Sequence, residues 1–315
     1  LSAGAERGGL VRAAPVLALA ALGTSSGAVL VRLAEAPSAV TAFWRLALSV
    51  LVLLPAFVAT RGWREWTGLG RRDAALLGLA GVCLAFHFIA WFRSLAFTSV
   101  ASSTVLVSVH PLFVGALSAL WLHEPPSRVE WTGIGIAVLG AACIGWGDLA
   151  GGPDPVRGDL LALLAAGLGA LYFTVGRRLR ARLGIWSYAV PVYASAAVAC
   201  AAVAQAGGAA LTGWPAATWA AFAGLAVGPM LFGHTGFNWA LRHVRAYVVS
   251  LVQLLEPIGA TILAVLVLGR HEVPGWNVWL GGALILVGVW LPLRARLLAQ
   301  SGGDAAHRRE EGGEV

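Results

Sequence analysis

A carboxylate inside a long apolar stretch is chemically conspicuous. Glu256 is one, with Gln253 about one turn and Ser250 about two turns before it. At helical spacing the three approximate one polar stripe, beside a kink expected at Pro257. Such a carboxyl can bind a proton or a substrate amine, or, protonated, simply hydrogen-bond a neighbouring helix. His110 also stands in an apolar run, where an imidazole can form a titratable pair with a carboxyl or pack as an ordinary core histidine. His234, Asn238 and Arg242 follow one another at i, i+4 and i+8, while His87, Trp91 and Ser94 form a similar line. These suit either two walls of a polar pathway or polar ties between helices. Arg45, in the sequence Phe43-Trp44-Arg45, can snorkel outward, pair with an acidic group, or clamp a substrate carboxylate.

The elements that position these groups follow from composition. Of 315 residues, 58% are hydrophobic and 12% charged, against about 25% charged in an ordinary soluble domain. A water-soluble enzyme is nearly excluded. Apolar runs long enough to cross a bilayer recur, and an ionisable group at that depth costs about 2.5–3.5 kcal/mol on insertion scales. Each of the residues above therefore demands a partner, a water-filled cavity or a neutral state. The net charge of +7 comes from arginines clustered between the apolar runs, which is a topology signal and not a nucleic-acid face. Cys83, Cys143 and Cys200 each sit inside an apolar run, with no metal-ligand spacing, and read as small packing residues.

Ten spans are expected, at roughly 13–33, 39–60, 73–96, 98–122, 129–147, 158–177, 185–205, 216–240, 245–268 and 275–294, with prolines such as Pro37, Pro125, Pro153, Pro215 and Pro274 between them. The first run is too long for the core of a signal peptide and reads as an uncleaved span. With the N-terminus inside, seventeen of the 22 arginines fall on the cytoplasmic side, three outside (Arg32, Arg157 and Arg270), and Arg45 and Arg93 within spans. Both termini are therefore expected in the cytoplasm.

The second half repeats the first. At an offset of 146, Gly78-Leu79-Ala80 falls on Gly224-Leu225-Ala226, Phe86 on Phe232 and Pro111 on Pro257. After a two-residue slip, His123-Glu124 falls on His271-Glu272, Trp131 on Trp279, Gly133 on Gly281 and Gly140 on Gly288. Five spans per half is an odd number, so the copies are expected to run in opposite senses, a recurrent device of carriers that open a midplane site alternately to each side.

The duplicated pattern His110-Pro111-Leu112-Phe113 through Leu122-His123-Glu124, echoed by Leu255-Glu256-Pro257-Ile258 through Gly269-Arg270-His271-Glu272, resembles the EamA-type transporters of the drug/metabolite transporter superfamily. Phe43-Trp44-Arg45 adds to the resemblance, which covers residues 13–294. It implies a ten-helix export carrier for small metabolites, often amino acids, in the bacterial inner membrane. The chain departs from the pattern at Leu22, where Trp is usual, and at His110, where an acidic or neutral residue is usual.

Other chemistries fit less well. Gly145-Trp146-Gly147-Asp148 spells the string of membrane aspartyl proteases, but no second Asp stands at that depth to share a proton. Gly23-Thr24-Ser25-Ser26-Gly27 matches a hydrolase elbow by letters only, since it lies within an expected span. A channel would favour charge rings or repeated filter motifs, and the sequence has neither.

The expectation is an all-α membrane protein, with one five-helix repeat at 13–147, a second at 158–294, and a disordered cytoplasmic tail at 295–315. It is expected to be a non-enzymatic, multi-pass carrier with no cofactor or metal, exporting amino acids or related solutes. A multidrug or other organic-solute efflux carrier is the alternative, and a passive channel a lesser one. Its partners would be a small-molecule substrate, the lipid bilayer and, as candidate coupling ion, protons, with no nucleic acid. The candidate site comprises Glu256, His110, Gln253, His87, Trp91, His234, Asn238 and Arg45.

Overall fold

The computed structural model describes residues 3–98, 100–146, 153–268 and 276–311. Gly147 and Asp148 of the protease-like string, and the 269–275 segment with Arg270, His271, Glu272 and Pro274, lie outside the described residues. Among the described residues there is no strand. Helices α1 (Ala3–Ser25), α2 (Gly27–Ala34), α3 (Ser38–Ala59), α4 (Arg71–Ser94), α5 (Val100–Val107), α6 (His110–Leu117) and α7 (Arg128–Trp146) come first. They are followed by α8 (Pro155–Arg180), α9 (Ile185–Ala206), α10 (Ala216–Leu225), α11 (Thr235–Ala240), α12 (Ala246–Gln253), α13 (Glu256–Leu268) and α14 (Trp276–Glu311). Seven stretches of the described residues, from Gly8–Ala34 to Ala246–Val267, are long and apolar enough to cross a membrane, and shorter apolar helices cover His110–Leu122 and Trp279–Ala295. Leu22, Leu120, Val198, Leu266, Trp276 and Trp279 are strongly exposed, an arrangement suited to lipid and costly in water.

Several expected runs are not single continuous helices. The fourth breaks between α5 and α6 at Ser108–Val109, and the ninth between α12 and α13 at Leu254–Leu255. Pro111 and Pro257 cause both breaks, because proline has no N–H for the carbonyl four residues back and its ring crowds that carbonyl. The chain closes each gap with a tighter turn, Val109 N–H donating to Leu106 O at 3.3 Å and Leu255 N–H to Val252 O at 3.1 Å. Ser250, Gln253 and Glu256 thus do not share one uninterrupted helix, and Ser250 bonds back to Tyr247 O at 2.8 Å. The eighth run is wound wider, as a π-helix, over Ala226–His234, where Pro229 again removes a helical donor. Helix α14 runs on through the polar residues after 295 to Glu311. Its Ala, Leu, Gln, Arg and Glu residues are good helix formers and extend a helix already nucleated.

Packing brings the elements together through small residues. Helices α7 and α14 run antiparallel: a Cβ on Gly140 would lie 2.6 Å from Gly281 O, and one on Gly288 2.6 Å from Gly133 O. Cys143 Sγ donates to Asn277 O at 3.5 Å on the same seam. Helices α3 and α9 are also antiparallel. At one end Trp44 Nε1 donates to Leu211 O (2.6 Å), and at the other Trp66 Nε1 donates to Ser187 O (3.0 Å). Helix α4 lies along α8 and α9, and α1 along the π-helical segment. All four tyrosines are fully buried in the largest core, as are Phe88, Phe173 and Phe237. One end of the bundle is tied by polar contacts. Arg177 takes Glu124 in a two-pronged pair (2.7 and 3.2 Å), Arg182 takes Asp73 (2.9 Å), and Glu65 accepts from Gly184 N–H.

Candidate functional site

The two helix breaks create the site. Each exposes the first residue of a new half-helix, His110 on α6 and Glu256 on α13, and both line one cavity of about 500 Å³, its open side included. Gln253, at the last turn before the second break, is the polar neighbour of both His110 and Glu256. Thr24 of α1 is Glu256's other hydrogen-bonding neighbour.

Helix α4 supplies His87 and Trp91, one turn apart, with ring centroids 6.3 Å apart and nearly stacked. His87 Nδ1 sits 2.8 Å from Ala165 O, and with that nitrogen as the assigned donor the ring is fixed against α8. The contact needs Gly169, since a Cβ there would stand 3.0 Å from the same nitrogen. His234 ends the π-helical segment and lies edge-on to Phe88 at 5.1 Å and to His87 at 6.3 Å. Arg45 does not snorkel. It is 1% exposed, its Cζ lies 4.0 Å from the centroid of Phe88, and it lines the cavity.

Seven of the eight sequence candidates therefore share one space: Glu256, His110, Gln253, His87, Trp91, His234 and Arg45. Asn238 does not. It is fully buried elsewhere, its Nδ2 donating to the phenol oxygens of Tyr172 and of Tyr193, the latter at 3.1 Å. Trp91 lines the cavity, while Trp44, the neighbour of Arg45 in sequence, packs against Phe43 and Trp219. Sequence reasoning missed Thr24, Ser108, Phe173 and Pro229. Thr24 was visible as part of a polar Thr-Ser-Ser run inside an apolar span, whereas Phe173 carried no signal of its own.

The polar atoms of this lining are poorly satisfied by protein. Arg45 Nε and Nη1, Trp91 Nε1, His110 Nε2, His234 Nδ1 and Gln253 Oε1 are buried without a hydrogen-bond partner. Native interiors leave few such atoms, and six of the twelve among the described residues belong to this one lining, as expected of a site that meets a polar ligand. Among the described residues no cluster of three or more His, Cys, Asp or Glu side chains is arranged to hold a metal ion.

The chain has likenesses among known proteins. The model of the EamA-like transporter family matches twice, over residues 12–146 and 156–294. The uncharacterized transporter YyaM of Bacillus subtilis (strain 168) is 24% identical over 259 residues, covering 79% of this chain and 82% of that one. The pseudopaline exporter CntI of Pseudomonas aeruginosa (strain UCBPP-PA14) is 29% identical over 111 residues, 35% of this chain and 37% of the exporter. A solved crystal structure superposes with a TM-score of 0.72 at 20% identity, over 91% of this chain and 99% of that one, a likeness of fold alone.

Proposed function

The chain belongs to the EamA-like transporter family, and from that premise we propose that it is a secondary transporter exporting small metabolites, amino acids or related solutes, across the bacterial inner membrane by alternating access. The observation that carries this reading is the pair of broken helices whose new starts, His110 and Glu256, face one cavity. Discontinuous helices meeting at a central site are a recurrent architecture of secondary carriers. Each of these residues lies ten positions after the start of its apolar segment, Val100 and Ala246. At about 1.5 Å per residue that is roughly 15 Å, half of a hydrocarbon core of about 30 Å.

The inverted repeat of ten spans belongs to the same proposal, and the packing supports it. Under the sequence offset, α4 against α8 becomes the π-helical segment against α1, and both contacts exist. Gly140 facing Gly281 becomes Gly288 facing Gly133, a reciprocal pair of the kind a two-fold axis requires. The equivalents α7 and α14 are antiparallel, as inversion demands, and the family model fits each half separately. Likeness to a protein named as an exporter favours the outward direction.

The test is reconstitution of the full chain in liposomes, with counterflow screened across amino acids and other metabolite classes. At least one solute is expected to exchange faster than in empty liposomes. If Glu256 carries the coupling proton, Glu256→Gln fixes that site in its neutral form, and the carboxyl's limb of the pH–rate profile disappears. An unchanged profile removes Glu256 from coupling, and no exchange of any solute sinks the carrier reading.

A further inference from the structure

Resting on the carrier reading, we propose that the transported solute carries a carboxylate that docks on the Arg45 guanidinium, so that the site takes organic acids and zwitterions and rejects organic cations. Arg45 holds a permanent charge and is 1% exposed. Among the described residues no carboxylate oxygen comes within ion-pair distance of it, and its Nε and Nη1 have no hydrogen-bond partner. The rings of Phe88 and Phe92, 4.0 and 5.8 Å from Cζ, shield the charge from lipid but offer no lone pair. A buried guanidinium with unmet donors is costly, and a carboxylate meets its planar fork with two parallel hydrogen bonds.

The rest of the lining gives the specificity. Among the described residues Glu256 is the single acid on the cavity, against Arg45 and the imidazoles of His87, His110 and His234. Glu256 and Arg45 attract each other across the cavity without reaching ion-pair distance, and Glu256 has Gln253 and Thr24 as hydrogen-bonding neighbours, so it stands as a second anchor and leaves the Arg45 fork open to a carboxylate. An organic cation entering here would face the charge of Arg45 with only Glu256 to offset it. A bare inorganic anion would satisfy Arg45 but leave Trp91, Phe173 and Leu254 with no apolar group to cover.

The experiment is competition in counterflow, using purified full-length chain in liposomes and a labelled mixture of protein amino acids as probe. Competitors are the unlabelled acids, their N-acetyl derivatives, their decarboxylated amines and their methyl esters. Acids and N-acetyl acids are expected to compete, while amines and esters compete at least about tenfold more weakly, the cost of a lost charge-assisted pair. Amines or esters competing as well as the acids overturns the carboxylate seat and leaves the carrier reading standing. A second readout needs no transport: organic carboxylates, and not the matching amines, are expected to raise the unfolding temperature of the detergent-purified protein. Stabilisation by no carboxylate overturns the seat. In Arg45→Gln the preference for acid over amine should vanish, and Arg45→Lys should restore part of it. A folded Arg45→Gln protein that keeps the full preference also overturns it.

Discussion

Asn238 and Arg45 are both removed from solvent and each keeps a polar atom without a partner, yet only Arg45 lines the cavity, and the donors of the two are treated differently. The Asn238 amide bridges two phenols, whereas the Arg45 guanidinium has two nitrogens with no partner on the rim of a cavity. Asn238→Leu would take the amide donor from the Tyr172 and Tyr193 hydroxyls, leaving Tyr193 its contact with Thr235 (3.1 Å). It is expected to cost about 1–3 kcal/mol, seen as a lower unfolding temperature in detergent, with the order of competing solutes unchanged. A variant of normal stability but altered solute order would put Asn238 back in the binding site. At this scale the sequence was legible wherever an ionisable group broke an apolar run, because bilayer depth makes such groups rare. Glu256, His110, His87, His234 and Arg45 stood out for that reason. Phe173 and Pro229 did not, since an aromatic ring or a proline in such a run looks the same whether it lines a cavity or packs against lipid.

Between residues and fold stand the helix breaks and the glycine seams. Pro111 and Pro257 announced disturbances in the fourth and ninth runs. The sequence pattern could not say that each run would part into two helices, because that depends on the neighbours that accommodate the tighter turn. The same limit hid the π-helical winding around Pro229. Glycines were abundant and individually uninformative, and the structure sorts them. Gly140 meets Gly281 O and Ile285 N at 2.6 and 2.8 Å from an added Cβ, while Gly135, on the same helix, would meet nothing within 4 Å. Gly140→Val should therefore force α7 off α14 and destabilise the protein by about 1–3 kcal/mol, the usual cost of overpacking. Gly135→Ala should leave the unfolding temperature where it was or raise it slightly. Equal effects of the two substitutions would mean that the α7–α14 seam is not a close-packed contact in the membrane.

At the level of the whole molecule, polarity is concentrated at one end, and several independent contacts gather the chain's ends there. Gly9 of α1 packs on the backbone of His243, between α11 and α12. Burial and the nearby charges of Arg12, Arg180 and Arg242 hold the His243 imidazole below its ordinary pKa, so that residue sits among the arginines of the N-terminal, α8 and α11 ends. Helix α14, antiparallel to α7, carries Pro292 to Gly133, close to the start of α7 at Arg128. The described starts and finishes thus meet the Arg177–Glu124 and Arg182–Asp73 pairs at a single arginine-rich face. The opposite face includes the 207–215 segment after α9, which has no arginine. Arginine clusters are retained on the cytoplasmic side during insertion, so reporters fused to both chain ends should read cytoplasmic, and a single cysteine at Gly208 should react with an impermeant thiol reagent from outside. Both halves can then present His110 and Glu256 to a shared centre from opposite directions. Termini found on different sides would require an odd number of crossings, and two inverted units of equal length could not be built from such a chain.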